Sequence, residues 1–187
     1  MVKVCFVCLG NICRSPTAEA VMKHLVRQAG LERAIHVESA GTGDWHVGET
    51  RDRRSLATGE ARGIPLSGRA QQFTAADFAR FDHVVAMDSS NRDDLLKMAP
   101  DAAARAKVTM LRAHEDASGG GGSPAGAHRG RVWEPAAGSH VDGAAGGEPS
   151  DVPDPYYGGS RGFEDVFDIC QAACVGFLAR VRREHRL

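Results

Sequence analysis

The chain's first sixteen residues do most to limit what it can fold into. Val2 to Val7 is a run of strand-forming residues with no polar alternation, as expected of a strand buried on both faces. After a short loop, Ser15-Pro16 opens a helix with proline in its first turn, and Ala18, Val21, Met22, Leu25 and Val26 recur at helical spacing. A buried strand passing directly into an amphipathic helix is the start of a parallel crossover unit. The pattern then repeats. Ile35 to Ala40 reads as a strand, and about 51–62 as a helix stopped by Gly63 before Pro65. Thr74 to Asp77 has the form of a capping box, and His83 to Met87 is a compact apolar strand. Ser89 to Met98 is a helix entered from Asp88, and Lys107 to Leu111 is a fourth strand. About 162–183 is a last helix with Phe163, Val166, Phe167, Cys170, Cys174, Phe177, Leu178 and Val181 on one face. Strands alternating with helices predict a three-layer, Rossmann-like α/β fold. Its central four-stranded parallel sheet is covered on both faces, with the site at the strands' carboxyl ends.

The loop inside the first unit carries the chemistry. Cys8-Leu9-Gly10-Asn11-Ile12-Cys13-Arg14-Ser15 sets five residues between a thiol and a guanidinium. That spacing lets the backbone of Leu9 to Cys13 curl into a cradle for an oxyanion, with the positive end of the following helix dipole behind it. The same field favours a thiolate at Cys8, making it a nucleophile near neutrality. Arg14 supplies a planar fork for phosphate oxygens, which a lysine would not.

With 187 residues, 42% of them hydrophobic, a single domain is expected. A formal net charge of −1 suggests neither nucleic acid nor an anionic membrane as a partner. The N-terminus is a poor signal peptide and no apolar stretch is long enough to span a bilayer, which points to the cytoplasm. Five cysteines, an odd number, fit a reducing compartment better than a disulfide framework. Cys5 in mid-strand, and Cys170 and Cys174 on the apolar helix face, read as core rather than as parts of a thiolate metal site. The segment 114–151 interrupts the alternation, with ten of the 22 glycines lying between Gly119 and Gly147, and reads as a flexible insert.

Just beyond it comes Asp154-Pro155-Tyr156-Tyr157. A carboxylic acid on a loop stiffened by Pro153 and Pro155 is a candidate to protonate a leaving oxygen, and the two tyrosines could stack on an aryl group. An Asp-Pro pair alone is usually only a turn. Paired with the N-terminal loop, it gains meaning.

With both motifs in view, the chain resembles the low-molecular-weight protein tyrosine phosphatases along nearly its whole length except the glycine-rich insert. Val7 to Pro16 and Asp154 to Tyr157 carry the likeness, joined by Ser39-Ala40-Gly41-Thr42, Gly63 to Ser67 and Met87 to Asn91. The resemblance implies a phosphotyrosine hydrolase of the phosphotyrosine phosphatase I fold, working through a cysteinyl-phosphate on Cys8 without metal or cofactor. Arg14 would bind phosphate, and Asp154 would act first as acid and then as base. By the same likeness, Asn11, Ser15 and Ser39 support the loop. Ile12, Trp45, Tyr156 and Tyr157 form a deep slot for a flat ring, and Cys13 is the redox partner of Cys8. The implied partners are tyrosine-phosphorylated proteins, with a tyrosine kinase as a further candidate and phosphate or vanadate as inhibitors.

Three alternatives stand beside this reading. An arginine phosphatase of this kind has a smaller polar residue at the Ile12 position. An arsenate reductase needs further relay cysteines. An idle phosphoprotein-binding module has no use for Asp154. One departure concerns loop support: many relatives have a histidine one residue past the position of Ser67, where this chain has Gly68-Arg69.

Overall fold

A computed structural model describes residues 1–118, 150–157, 159 and 161–187. The alternation of apolar runs resolves into strands β1 (Val2–Cys8), β2 (Ile35–Gly41), β3 (His83–Ala86) and β4 (Val108–Met110). The helices are α1 (Arg14–Gln28), α2 (Arg53–Ala61), α3 (Ser89–Met98), α4 (Ala102–Ala106) and α5 (Arg161–His185), with 3-10 turns at Ala75–Ala79 and Leu111–Ser118. All pairings are parallel, in the order β2-β1-β3-β4. β1 is therefore central, as the apolar run from Val4 to Cys8, buried throughout and preceded by the exposed Lys3, requires.

Its alternating side chains divide the interior. Val2, Val4, Phe6 and Cys8 join a core with α1 and α5, while Cys5 and Val7 join Phe73, Phe78, Phe81 and Leu95 on the other face. Cys5 thus lies on the opposite face from Cys8, Cys170 and Cys174, and these four thiols do not converge. The face foreseen for the last helix is buried as expected, from Phe163 through Val181.

Several boundaries differ from expectation for local reasons. Asp52 caps α2, accepting from the Arg54 amide at 2.8 Å, so the helix starts at Arg53 and Arg51 lies outside it. Gly63, at φ 70°, ends α2 in the left-handed conformation that favours glycine. The short α4, capped by Asp101, was not expected. The expected insert also begins later than residue 114. The 3-10 turn from Leu111 buries His114 against Phe177, at 4.9 Å between ring centroids. At the far end, Asp151 accepts from Ser89 N at 2.8 Å, and Val152 N donates to Met87 O at 2.8 Å. The rest of the insert, 119–149, lies outside the described residues.

Strand order places the loop after β1 where the crossovers part, one toward β2 and the other toward β3 and β4. That is where open parallel sheets leave a crevice for a ligand, at the strands' carboxyl ends.

Candidate active site

β1 ends at Cys8 and α1 begins at Arg14, so the intervening loop occupies this crevice with a helix N-terminus behind it. The end of β2 backs the loop: Thr42 N donates to Cys8 O and Gly43 N to Leu9 O, each at 2.9 Å. At Gly41 the backbones are so close that a Cβ would sit 2.7 Å from Leu9 O.

Asn11 holds the loop's shape. It adopts φ 55°, a left-handed conformation that asparagine tolerates better than most residues, and it is completely buried. Its backbone N–H donates to Cys8 Sγ at 3.3 Å. Its Nδ2 donates to Ser15 Oγ and Ser39 Oγ, both at 2.9 Å. Ser15 Oγ in turn lies 3.1 Å from Cys8 Sγ. Asn11, Ser15 and Ser39 thus come together around the thiol.

Arg14 is almost fully buried. Its Nη1 donates to Asp88 Oδ2 at 2.5 Å and to Val152 O at 3.3 Å, and its Nη2 donates to Asp154 Oδ2 at 2.7 Å. Burial disfavours its charge, but Cys8, Asp154 and Asp88 outweigh that and hold the guanidinium more firmly protonated than usual. Asp154 Oδ1 accepts from Tyr156 N at 3.0 Å. The two distant motifs therefore meet through Arg14.

Above them opens a cavity of about 210 Å³ lined by Cys8 to Gly10, Ile12 to Arg14, Trp45, His46, Asp154, Tyr156 and Tyr157. Every residue expected to wall the slot is there. Trp45 is 59% exposed and Tyr157 95%. Tyr157 stands edge-on to Tyr156 with centroids 5.0 Å apart. Cys13, the N-cap of α1, is buried, which pushes its thiol up to about 12, with Asp52 adding to the effect. Burial likewise raises Cys5, Cys170 and Cys174.

Sequence reasoning missed four residues here. Asp88 caps α3 through Oδ1, accepting from Asn91 N at 2.6 Å, while its Oδ2 takes Arg14. An aspartate between an apolar strand and a helix could have been read as both cap and site residue. Arg54 donates to Tyr156 O at 3.1 Å and lies over the Phe163 ring at 4.5 Å, tying the acid loop to α2. Arg51 and Glu19 lie beneath Asn11, and neither carried a local signal. Next to Gly68, Arg51 Nε donates to Ser67 O at 3.2 Å.

The family model for low molecular weight phosphotyrosine protein phosphatase matches residues 3–140 and 137–187. A low molecular weight protein-tyrosine-phosphatase of Streptomyces coelicolor is 41% identical over 182 residues, covering 97% of this chain and 94% of the relative. Among solved structures, a protein tyrosine phosphatase from Entamoeba histolytica with Hepes in its active site aligns with TM-score 0.78 at 32% identity, over 100% of both chains. A Drosophila arginine phosphatase aligns with TM-score 0.74 at 27% identity, over 97% of this chain and 98% of the other.

Proposed function

Because this chain belongs to the low molecular weight phosphotyrosine protein phosphatase family, and is therefore a phosphatase, we propose that Cys8, Arg14 and Asp154 carry out its reaction on phosphotyrosine. Cys8 Sγ attacks phosphorus as the bond to the phenolic oxygen breaks, and Asp154 gives that oxygen its proton. Water then attacks the cysteinyl-phosphate, Asp154 takes its proton, and phosphate leaves with Cys8 restored. Arg14 and the loop amides carry the charge of the equatorial oxygens in both steps, a task that needs no metal.

The observation that carries this reading is the convergence of Cys8, Arg14 and Asp154 on one cavity, with Arg14 Nη2 2.7 Å from Asp154. Leu9, Gly10, Ile12 and Cys13 supply the backbone of the cradle. Ile12, Trp45, Tyr156 and Tyr157 wall a slot fitted to a flat ring, which favours phosphotyrosine over shorter phosphoserine. Isoleucine in that slot offers no polar group to a guanidinium, so phosphoarginine is the poorer substrate. Cys170 and Cys174 are fully buried with raised thiols and make poor relays for arsenate reduction. Cys13 remains the candidate to capture an oxidised Cys8.

The whole chain serves as one catalytic domain, with the glycine-rich stretch between Ser118 and Ser150 as an insertion ahead of the acid loop. Its partners are tyrosine-phosphorylated proteins, with a tyrosine kinase as counterpart, in the cytoplasm; phosphate and vanadate inhibit. No described helix is long and apolar enough to cross a membrane.

The deciding experiment compares phosphotyrosine, phosphoserine and phosphoarginine peptides, with chelator and reductant present, for the wild type and Cys8→Ser. Release from phosphotyrosine alone, lost in the variant while vanadate still binds, is expected. Full activity in Cys8→Ser would sink the mechanism, and preference for phosphoarginine would reassign the substrate.

A further inference from the structure

Asn11 pays a conformational cost for its left-handed backbone, so something must hold it there. Its side-chain amide accounts for part of this, through the two serines. The rest falls to a buried cation outside the loop. Arg51 is 4% exposed, and its Nη1 donates both to Asn11 O at 2.5 Å and to Asn11 Oδ1 at 2.7 Å. Oδ1 takes a second bond from Gln71 N at 3.0 Å. Nε of Arg51 is anchored on Ser67 O, and Nη2 lies 3.6 Å from Glu19 Oε2. Glu19 Oε2 itself accepts from Ser39 Oγ at 2.5 Å, closing the circuit back to Asn11 Nδ2.

The guanidinium lies beside Gly68. That glycine has φ 82°, and a Cβ there would lie 3.5 Å from Arg51 Nη2, so a longer side chain directed that way would compete for the same space. Arg51 is free to enter because Asp52, not Arg51, caps α2. Burial disfavours its charge, while Glu19 and Cys8 sustain it. A buried fork with three carbonyl-type acceptors and a buried carboxylate is too costly to be incidental packing.

We propose that Arg51, seated beside Gly68 and paired with Glu19, is the positioning residue that locks Asn11 and, through the Asn11 N–H on Cys8 Sγ, sets the nucleophile. It touches neither substrate nor sulfur. Its action runs through Asn11 and through its positive charge behind the loop. This rests on the assignment of Cys8 as nucleophile.

The test uses Arg51→Met and Arg51→Lys in the full chain. Two readouts are taken: kcat and KM on p-nitrophenyl phosphate, and the rate of iodoacetamide alkylation of Cys8 at pH 6, with and without inorganic phosphate. Of the thiols, Cys8 and Cys13 line the cavity, so the alkylated protein is digested and the label located on Cys8 by mass spectrometry. For Arg51→Met, kcat is expected to fall about tenfold or more, the scale of losing a charged bond in a buried network. Alkylation should slow severalfold and phosphate should protect less. Arg51→Lys keeps the charge without the fork and should fall between, and it carries the test if the methionine variant does not fold. Unchanged kcat and alkylation in folded variants, with only a lowered melting temperature, would overturn the proposal. Alkylation needs no turnover, so a wild type inactive on phosphotyrosine would refute the phosphatase mechanism without deciding this arm.

Discussion

Two carboxylates hold Arg14, and their surroundings give them different tasks. Asp88 is locked: one oxygen caps α3, the other takes Arg14 Nη1, and its side chain is 16% exposed. Asp154 is 42% exposed in its side chain, on a loop between two prolines, where it can trade Arg14 for a leaving oxygen. In kcat/KM, which reports the step that expels the leaving group, Asp154→Asn should therefore slow phenyl phosphate far more than p-nitrophenyl phosphate, because only the poorer leaving group needs the proton. A loss of about 10²–10³-fold on phenyl phosphate is the scale of general acid catalysis. Equal loss on both substrates would contradict its role. Asp88→Asn should instead weaken inhibition by phosphate and leave the ratio between the two substrates unchanged, since it acts on the orientation of Arg14. A changed ratio would give Asp88 a part in proton transfer.

The elements meet tightly where the end of β2 passes under the phosphate loop. A Cβ on Gly41 would lie 2.7 Å from Leu9 O and 3.2 Å from Asn11 N, both backbone atoms that cannot turn aside. Gly41→Ala should displace the loop and lower kcat/KM by about tenfold or more, as small displacements of a catalytic constellation do. A phosphate-bound spectrum and rate equal to the wild type would show that the contact yields. This junction also shows what the sequence could disclose. β1, α1, α3 and the buried face of α5 were legible because each rests on a local pattern: an apolar run, a 3.6-residue period, or a cap such as Asp88. Cys8, Arg14 and Asp154 were legible because their chemistry is rare and spaced. Arg51 and Glu19 were not, since a buried ion pair joining residues 32 apart leaves no local periodicity, and Arg51 reads as one more surface charge in the first turn of a helix. His114 was misread for a similar reason: it borders a glycine-rich stretch, and only the packing of α5 shows that it belongs to the core.

At the scale of the molecule, the core shared by α1 and α5 extends into the 3-10 turn before the insert, and this brings a titratable group inside. His114 is 4% exposed, and its Nε2 has no hydrogen-bond partner among the described residues. Burial lowers its proton affinity from the ordinary 6.5 to about 4, with Arg180 and His83 adding to the effect and Glu184 opposing it. The unfolded chain therefore binds this proton below pH 6.5, where the folded one still refuses it. Stability from the neutral imidazole is complete above about pH 6.5 and is lost as the pH falls toward 4. The gap corresponds to about 3 kcal/mol. For a chain of this length that is about 6–12 °C in melting temperature. His83, also lowered by burial, loses stability in the same direction. His114→Leu removes one of these titrations and an unpartnered polar atom together. Thermal unfolding followed from pH 7.5 to 4.5 should show a shallower acid decline in the variant, with melting temperatures converging or crossing near pH 7. Parallel curves would mean that His114 reaches water in the folded protein, and that the turn leading into the insert opens more readily than its packing against Phe177 indicates.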